Sequence, residues 1–202
     1  MGSETTYEIY GIGAALVDIE AEIPLQFLEI NRIKKGVMTL VTHSEQNKLL
    51  YSLNASDIKL KKASGGSVCN SVVASSQFGS RTFFSGCVAS DRDGEVFLED
   101  LKKSGVTFPN IVTNKGSTGR FLVMVTDDAD RTMYTSLGCS NDLSDKHIDK
   151  EALKKSKWLF IEGYQVTDYD RFEMLKNVIN FAKRNDVKIA LSLSDPGIVM
   201  TF

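Results

Sequence analysis

A Gly-Gly pair followed closely by an asparagine is the feature of this sequence best suited to holding a ligand. Gly65 and Gly66 permit backbone angles closed to other residues and let a ligand approach the main chain. Ser67 is placed to cap a helix, Val68, Val72 and Val73 give that helix an apolar stripe, and Gly79 stands where a left-handed C-terminal cap belongs. Asn70 then lies about one turn inside the helix mouth, where its amide can both donate to and accept from a polyhydroxyl ligand. The competing reading is a glycine-rich turn that merely precedes a core helix. Two acids stand at the ends of predicted strands, Glu162 in Glu162-Gly163-Tyr164 and Asp195 in Ser194-Asp195-Pro196. Open parallel sheets bind ligands at such ends, although an acid that caps the next loop has the same signature.

The elements that must position these residues alternate between strand and helix. Tyr7 to Ile23 is β-rich with a glycine break at Gly11-Ile12-Gly13, and Pro24 opens a short helical segment. Ser44 to Leu53 has helical spacing, Ile58 to Lys62 reads as a short strand, and Arg81 to Val88 as another. Asp93 to Ser104 is an amphipathic helix closed by Gly105. Arg120 to Thr126 and Arg131 to Leu137, separated by an Asp-rich turn, form a hairpin. Trp158 to Ile161 and Val187 to Leu193 read as buried strands flanking a helix from Tyr169 to Asn185. Strands alternating with helices of this length predict an α/β fold with right-handed crossovers on a parallel sheet.

Composition narrows the function. The 202 residues are 42% hydrophobic and 25% charged with three prolines, which suits one large globular domain. A formal charge of −2 leaves no electrostatic footprint for nucleic acid, and no apolar run has the length of a membrane span. The N-terminus lacks a secretory apolar region, and Met1-Gly2-Ser3 reads as a cloning scar. Cys69, Cys87 and Cys139 are scattered, without metal-ligand spacing, and read as buried small residues in a reducing cytosol. His43 and His147 have no neighbouring ligand set, so hydrolase triads and metal centres start poorly, and no metal ligand is expected in this chain. The lysines at Lys34-Lys35 and from Lys59 to Lys62 read as a solvated face rather than a phosphate site.

The stretch from Gly65 to Gly94 resembles the N-terminal signature of the PfkB carbohydrate kinases, the ribokinase and adenosine kinase family. Gly65, Gly66, Asn70, Gly79, Gly86, Val88, Asp91 and Gly94 match, whereas Ser71-Val72, Phe78 and Ala89 depart from the usual residues. Residues 11 to 18, GIGAALVD, are similar to the first strand of the adenosine-kinase-like branch, with Ala14 where asparagine is usual. The resemblance implies that Asp18 grips two sugar hydroxyls, as an ionised carboxylate at a strand end can. Thr118-Gly119-Arg120, the hairpin and Arg131-Thr132-Met133 resemble the family's lid segment. Met133, Thr135 and Leu137 share one strand face, which either covers a substrate or packs on the core. Asn141 resembles a family asparagine, and a turn role accounts for it equally well.

The resemblance implies a ribokinase-like doubly wound sheet flanked by helices, with a small β lid drawn from about residues 19–64 and 118–138. The chain as a whole reads as the N-terminal part of one such domain. Asp18, Gly65, Gly66, Asn70, Met133, Leu137 and Glu162 are the expected substrate-binding residues. The family's D-T-x-G-A-G-D-like stretch and N-x-x-E motif, which serve phosphoryl transfer and magnesium, do not occur in these residues. No catalytic residue is therefore assigned, and the chain alone is expected to be inactive.

The implied reaction is ATP- and Mg2+-dependent phosphorylation of a sugar or nucleoside hydroxyl, with an adenosine-like or ribose-like substrate, in the cytoplasm. A homodimer through the lid stays open. The alternative is a non-catalytic sugar- or nucleoside-binding module. A Rossmann oxidoreductase is disfavoured, because Gly11-x-Gly13 lacks the third glycine and the Gly65 helix carries asparagine where that fingerprint needs glycine.

Overall fold

Two sheets of different character organise the chain, and the cavity discussed below opens between them. The computed structural model describes residues 6–109 and 112–202, so the reading of Met1-Gly2-Ser3 lies outside the described residues. In chain order the strands are β1 (Tyr7–Ile12), β2 (Leu16–Glu22), β3 (Met38–Leu40), β4 (Leu60–Gly65), β5 (Thr82–Ser85), β6 (Val88–Ala89), β7 (Val112–Thr113), β8 (Gly119–Val125), β9 (Arg131–Ser136), β10 (Ser156–Glu162) and β11 (Lys188–Ser192). The helices are α1 (Leu25–Ile30), α2 (His43–Ala55), α3 (Ser67–Gln77), α4 (Arg92–Lys103), α5 (Lys150–Lys154), α6 (Tyr169–Arg184) and α7 (Pro196–Thr201).

The first sheet is wholly parallel, in the order β11-β10-β1-β5. Helix α3 covers one face, where Val68 and Val72 meet Phe84 and the half-buried Ile9 and Phe160. Helices α5 and α6 cover the other, packing Leu153, Met174, Leu175 and Val178 on Tyr10, Ile12, Leu159 and Ile161. Apolar strands with helices on both faces are what a buried parallel sheet requires. The order also creates a switch point: from β1 the chain reaches β5 on one side, and from β10 it reaches β11 on the other. A crevice at the carboxyl ends of β1 and β10 follows from that topology.

The second sheet runs β3-β9-β8-β2-β4 and mixes parallel with antiparallel pairs. Val17, Ile19, Leu122 and Met124 point from one face into a core shared with Leu49 and Leu53 of α2 and Phe97 and Leu101 of α4. Its other face carries a row of side chains aligned across four strands: Asp18, Phe121, Thr135 and Leu40.

Local structure departs from the sequence expectations at several points. The break after the first strand falls at residues 13–15, so of the expected Gly11-Ile12-Gly13 break only Gly13 lies in it, and β1 and β2 enter different sheets. Likewise Arg81 to Val88 is not one strand, because Gly86-Cys87 separates β5 from β6. The strand expected at Ile58 begins two residues later and runs to Gly65. Helix α3 is capped by Gly66, at φ +104°, and not by Ser67, whose hydroxyl is engaged elsewhere. Helix α2 is opened by Thr42 in a capping box with Glu45. Strand β11 is an edge rather than a buried strand, with Leu191 54% exposed; Trp158 on β10 is also partly exposed. The three cysteines are free and buried, and no helix among the described residues is long and apolar enough to cross a membrane.

Helix α3 lies so close to β1 that a Cβ on Gly11 would stand 2.6 Å from Val72 Cγ2 and 2.9 Å from Val68 Cγ1. Gly11→Val should therefore cost about 1–3 kcal/mol through overpacking, read as a lower urea midpoint with an unchanged slope.

Candidate ligand site at the strand ends

Glu162, the last residue of β10, is 2% exposed and ties together three segments around the crevice. Its Oε2 accepts from the Ala14 backbone N–H at 2.8 Å and from Gln165 Nε2 at 3.1 Å. Its Oε1 accepts from the Ser67 N–H at 3.2 Å and from Ser67 Oγ at 2.5 Å. The β1–β2 connection, the α3 mouth and the turn after β10 are thus held by one carboxylate. Four protein donors fill its two oxygens, so Glu162 shapes the site rather than presenting a free acceptor to it.

Asp18 is the carboxylate that remains available. It sits on β2 with Oδ1 buried and without a protein partner. Burial pushes its pKa up to about 6, a rise partly offset by a hydrogen bond from the Asn70 side chain and by the charge of Arg131. The carboxylate lies directly over Gly65: a Cβ there would stand 1.9 Å from Asp18 Oδ1. Gly66 is equally constrained, since a Cβ would meet the Ala14 carbonyl oxygen at 2.3 Å. The Gly-Gly pair is needed because two other groups occupy the space its side chains would take.

These groups line a cavity of about 480 Å³ whose exposed surface is mostly apolar. Of the expected residues, Asp18, Gly66, Asn70, Leu137 and Glu162 line it. Gly65 lies beneath Asp18, and Met133 does not line it. Met133 pairs with Val123 and Met38, one row farther out on the sheet than Thr135. Asp195 caps α7 by accepting from the Gly197 N–H at 2.7 Å, which is the capping alternative for that strand end. Asn141 also borders the cavity, held through its carbonyl and side-chain oxygens by Arg171 Nη1 at 2.8 and 3.2 Å.

Leu40, Phe121, Gln165 and Arg171 border the cavity as well, and sequence reasoning missed them. Arg171 did carry a signal, for it occupies the buried stripe of α6 with Met174, Leu175, Val178 and Ala182. Gln165, in the 3-10 turn Gly163–Thr167, carried none. A smaller hollow of about 220 Å³ beside Lys150 and Arg184 uses no residue from the strand ends.

Residues 37–200 match the sequence profile described as pfkB family carbohydrate kinase. The chain is 24% identical over 197 residues to the 5-dehydro-2-deoxygluconokinase of Halalkalibacterium halodurans, covering 96% of this chain and 52% of that protein. It is 23% identical to the adenosine kinase of Saccharomyces cerevisiae, covering 95% and 57%. The solved structure of adenosine kinase from Sinorhizobium meliloti superposes with a TM-score of 0.83 at 31% identity, covering 97% of this chain and 59% of that one. A probable sugar kinase from Rhizobium etli CFN 42 gives 0.83 at 28% identity, with 97% and 58% covered. The chain therefore has the ribokinase-like α/β fold expected from its motifs, and it spans about half the length of the curated relatives it matches.

Two outcomes follow from the site's geometry. Carbon-detected NMR titration should find the Asp18 carboxyl with a midpoint near 6, and Gly65→Ala should move it toward the ordinary carboxylate range by displacing the group into water. Glu162→Gln replaces two acceptor atoms by one acceptor and one donor facing donors. It should cost about 1–3 kcal/mol in chemical denaturation.

Proposed function

The chain belongs to the pfkB family of carbohydrate kinases, and from that premise we propose that its cavity binds the phosphoryl acceptor, a ribofuranosyl compound of the adenosine type. The observation that carries this reading is the placement of Asp18. A partly desolvated carboxylate with an unpartnered oxygen stands beside Asn70 at the rim of a mostly apolar cavity. An ionised carboxylate accepts two hydrogen bonds from a vicinal diol, and charge-assisted bonds of this kind are stronger than neutral ones. Asn70, one turn into α3, can add both a donor and an acceptor. Leu16, Leu40, Phe121 and Leu137 supply an apolar wall that suits the flat face of a base better than another polyol. The five-stranded sheet that presents this wall is assigned the role of lid.

The family's reaction moves the terminal phosphoryl group of ATP to a hydroxyl of the bound acceptor. In this chain Asp18 and Asn70 orient the acceptor, Glu162 holds the α3 mouth and the strand ends in register, and the apolar wall excludes water from one side. Among the described residues no group of three or more His, Cys, Asp or Glu side chains is arranged to hold a metal ion. Magnesium that is held by one or two carboxylates, waters and phosphates needs no such cluster, and no residue of this chain is assigned to Mg2+ or to ATP. A sugar acid, of the kind named for the Halalkalibacterium relative, is the second reading. The guanidinium of Arg171, which borders the cavity, is the observation that favours it.

Isothermal titration with adenosine, ribose, fructose and 2-deoxygluconate, each with and without MgATP, decides between acceptors. Adenosine should bind, with affinity lost in Asp18→Asn; absence of binding by every acceptor sinks the proposal. Because the ionised carboxylate is the binding form, affinity should be constant above pH 7. It should fall about tenfold per pH unit below the Asp18 midpoint near 6.

A further inference from the structure

Two buried polar side chains on the far wall of the cavity are left with one unmet acceptor and one unmet donor. Gln165 is 4% exposed and Arg171 8% exposed, and both border the cavity. The amide of Gln165 has only one consistent orientation, because its Nε2 contacts Glu162 Oε2 at 3.1 Å and a carboxylate oxygen can only accept. Its Oε1 is therefore an acceptor, buried and without a donor. Arg171 is fixed in a similar way. Nη1 donates twice to Asn141, Nη2 makes one long contact of 3.4 Å to Thr167 Oγ1, and the Nε–H has no acceptor. Among the described residues no carboxylate lies within ion-pairing distance of this guanidinium. It is also not among the charges that act on Asp18.

Buried polar groups are normally paired, and leaving them unpaired is costly. Gln165 and Arg171 belong to the segment between β10 and the first turn of α6, Asp18 belongs to β2, and all three residues border the same mostly apolar cavity. A ligand that meets every feature has a diol, a flat apolar body, and a hydrogen-bond donor next to an acceptor. An aminopurine riboside has all three. Its exocyclic amine is the donor, and the adjacent ring nitrogen is the acceptor. This is the same complement that a glutamine amide uses to read adenine at N6 and N7, here divided between two side chains.

We propose that Gln165 and Arg171 determine base specificity, with Gln165 Oε1 accepting from the 6-amino group of a purine riboside and Arg171 donating to the neighbouring ring nitrogen. The assignment rests on the nucleoside reading of the cavity.

Isothermal titration of this chain with adenosine and with purine riboside, which lacks only the 6-amino group, tests it. Wild type should bind purine riboside about tenfold more weakly than adenosine, the size expected for one buried hydrogen bond. Gln165→Leu also removes a donor from Glu162 and so weakens both ligands, but it should weaken adenosine about tenfold more than purine riboside, a ligand-selective difference that a purely structural role does not produce. Equal affinity of the two nucleosides for wild type overturns the assignment without recourse to any variant, as does an equal loss of both in Gln165→Leu. Arg171→Lys should keep part of the adenosine affinity that Arg171→Met loses, and equal affinities in these two variants remove Arg171 from the assignment. Adenosine binding that requires Asp18 but ignores the 6-amino group defeats the base-edge assignment alone. Failure of either nucleoside to bind wild type, or full binding by Asp18→Asn, defeats the nucleoside reading as well.

Discussion

A single buried carboxylate holds the crevice together. Glu162 lies at the carboxyl end of β10, beside the end of β1, where the connections of the parallel sheet diverge. A charge taken out of water at that depth is unfavourable unless donors replace its hydration, and here four do: two backbone N–H groups, a serine hydroxyl and a glutamine amide. Those donors come from the β1–β2 connection, the first residue of α3 and the turn after β10. The carboxylate therefore sets the position of the Gly-Gly turn and, through Gln165, of part of the far wall.

The second constraint is steric. Strand β4 brings Gly65 opposite Leu16 on β2, so the Asp18 side chain, two residues on, folds back over the Gly65 α-carbon. Any side chain at Gly65 would fill the space the carboxylate occupies. Gly66 must then reverse direction against the Ala14 carbonyl at a positive φ before α3 starts, which only glycine does without strain. Desolvation raises the Asp18 pKa, and the Asn70 amide limits the rise. The group therefore stays largely ionised near neutral pH while remaining short of hydrogen-bond partners, a combination that favours a polyhydroxyl ligand.

The two sheets contribute different things to the cavity. The parallel sheet, packed with helices on both faces, supplies a rigid rim of strand ends. The mixed sheet is apolar on the face that packs against α2 and α4, and on the other it presents the cross-strand row of Asp18, Phe121, Thr135 and Leu40. A ribokinase-like fold shared with adenosine and sugar kinases does not itself specify a substrate, so the acceptor proposed for this chain rests on that row and on the far wall.

Much of this architecture was legible along the sequence, because it depends on local chemistry. The Gly-Gly-x-x-x-Asn spacing marked the α3 mouth, the period of apolar residues marked α4 and α6, and the Asp-rich turn marked the β8–β9 hairpin. Asp18 and Glu162 were legible as acids at strand ends. Their division of labour was not, since it depends on which donors converge from residues 14, 67 and 165. Ser67 looked like a helix cap, but its hydroxyl is drawn to Glu162 across 95 residues of chain, a preference no local pattern records. Met133 and Thr135 share a strand face with period two, yet only the register with β3 and β8 places Thr135 on the cavity and Met133 one row beyond it. Arg171 borders the cavity because α6 packs back on the parallel sheet beside residues 138–142, and Gln165 because its amide is held by Glu162. Local sequence determined which groups are available for chemistry. Long-range packing decided which of them are satisfied by the protein and which are left for a ligand, because hydrogen-bond partners are set by proximity in space and not by separation along the chain.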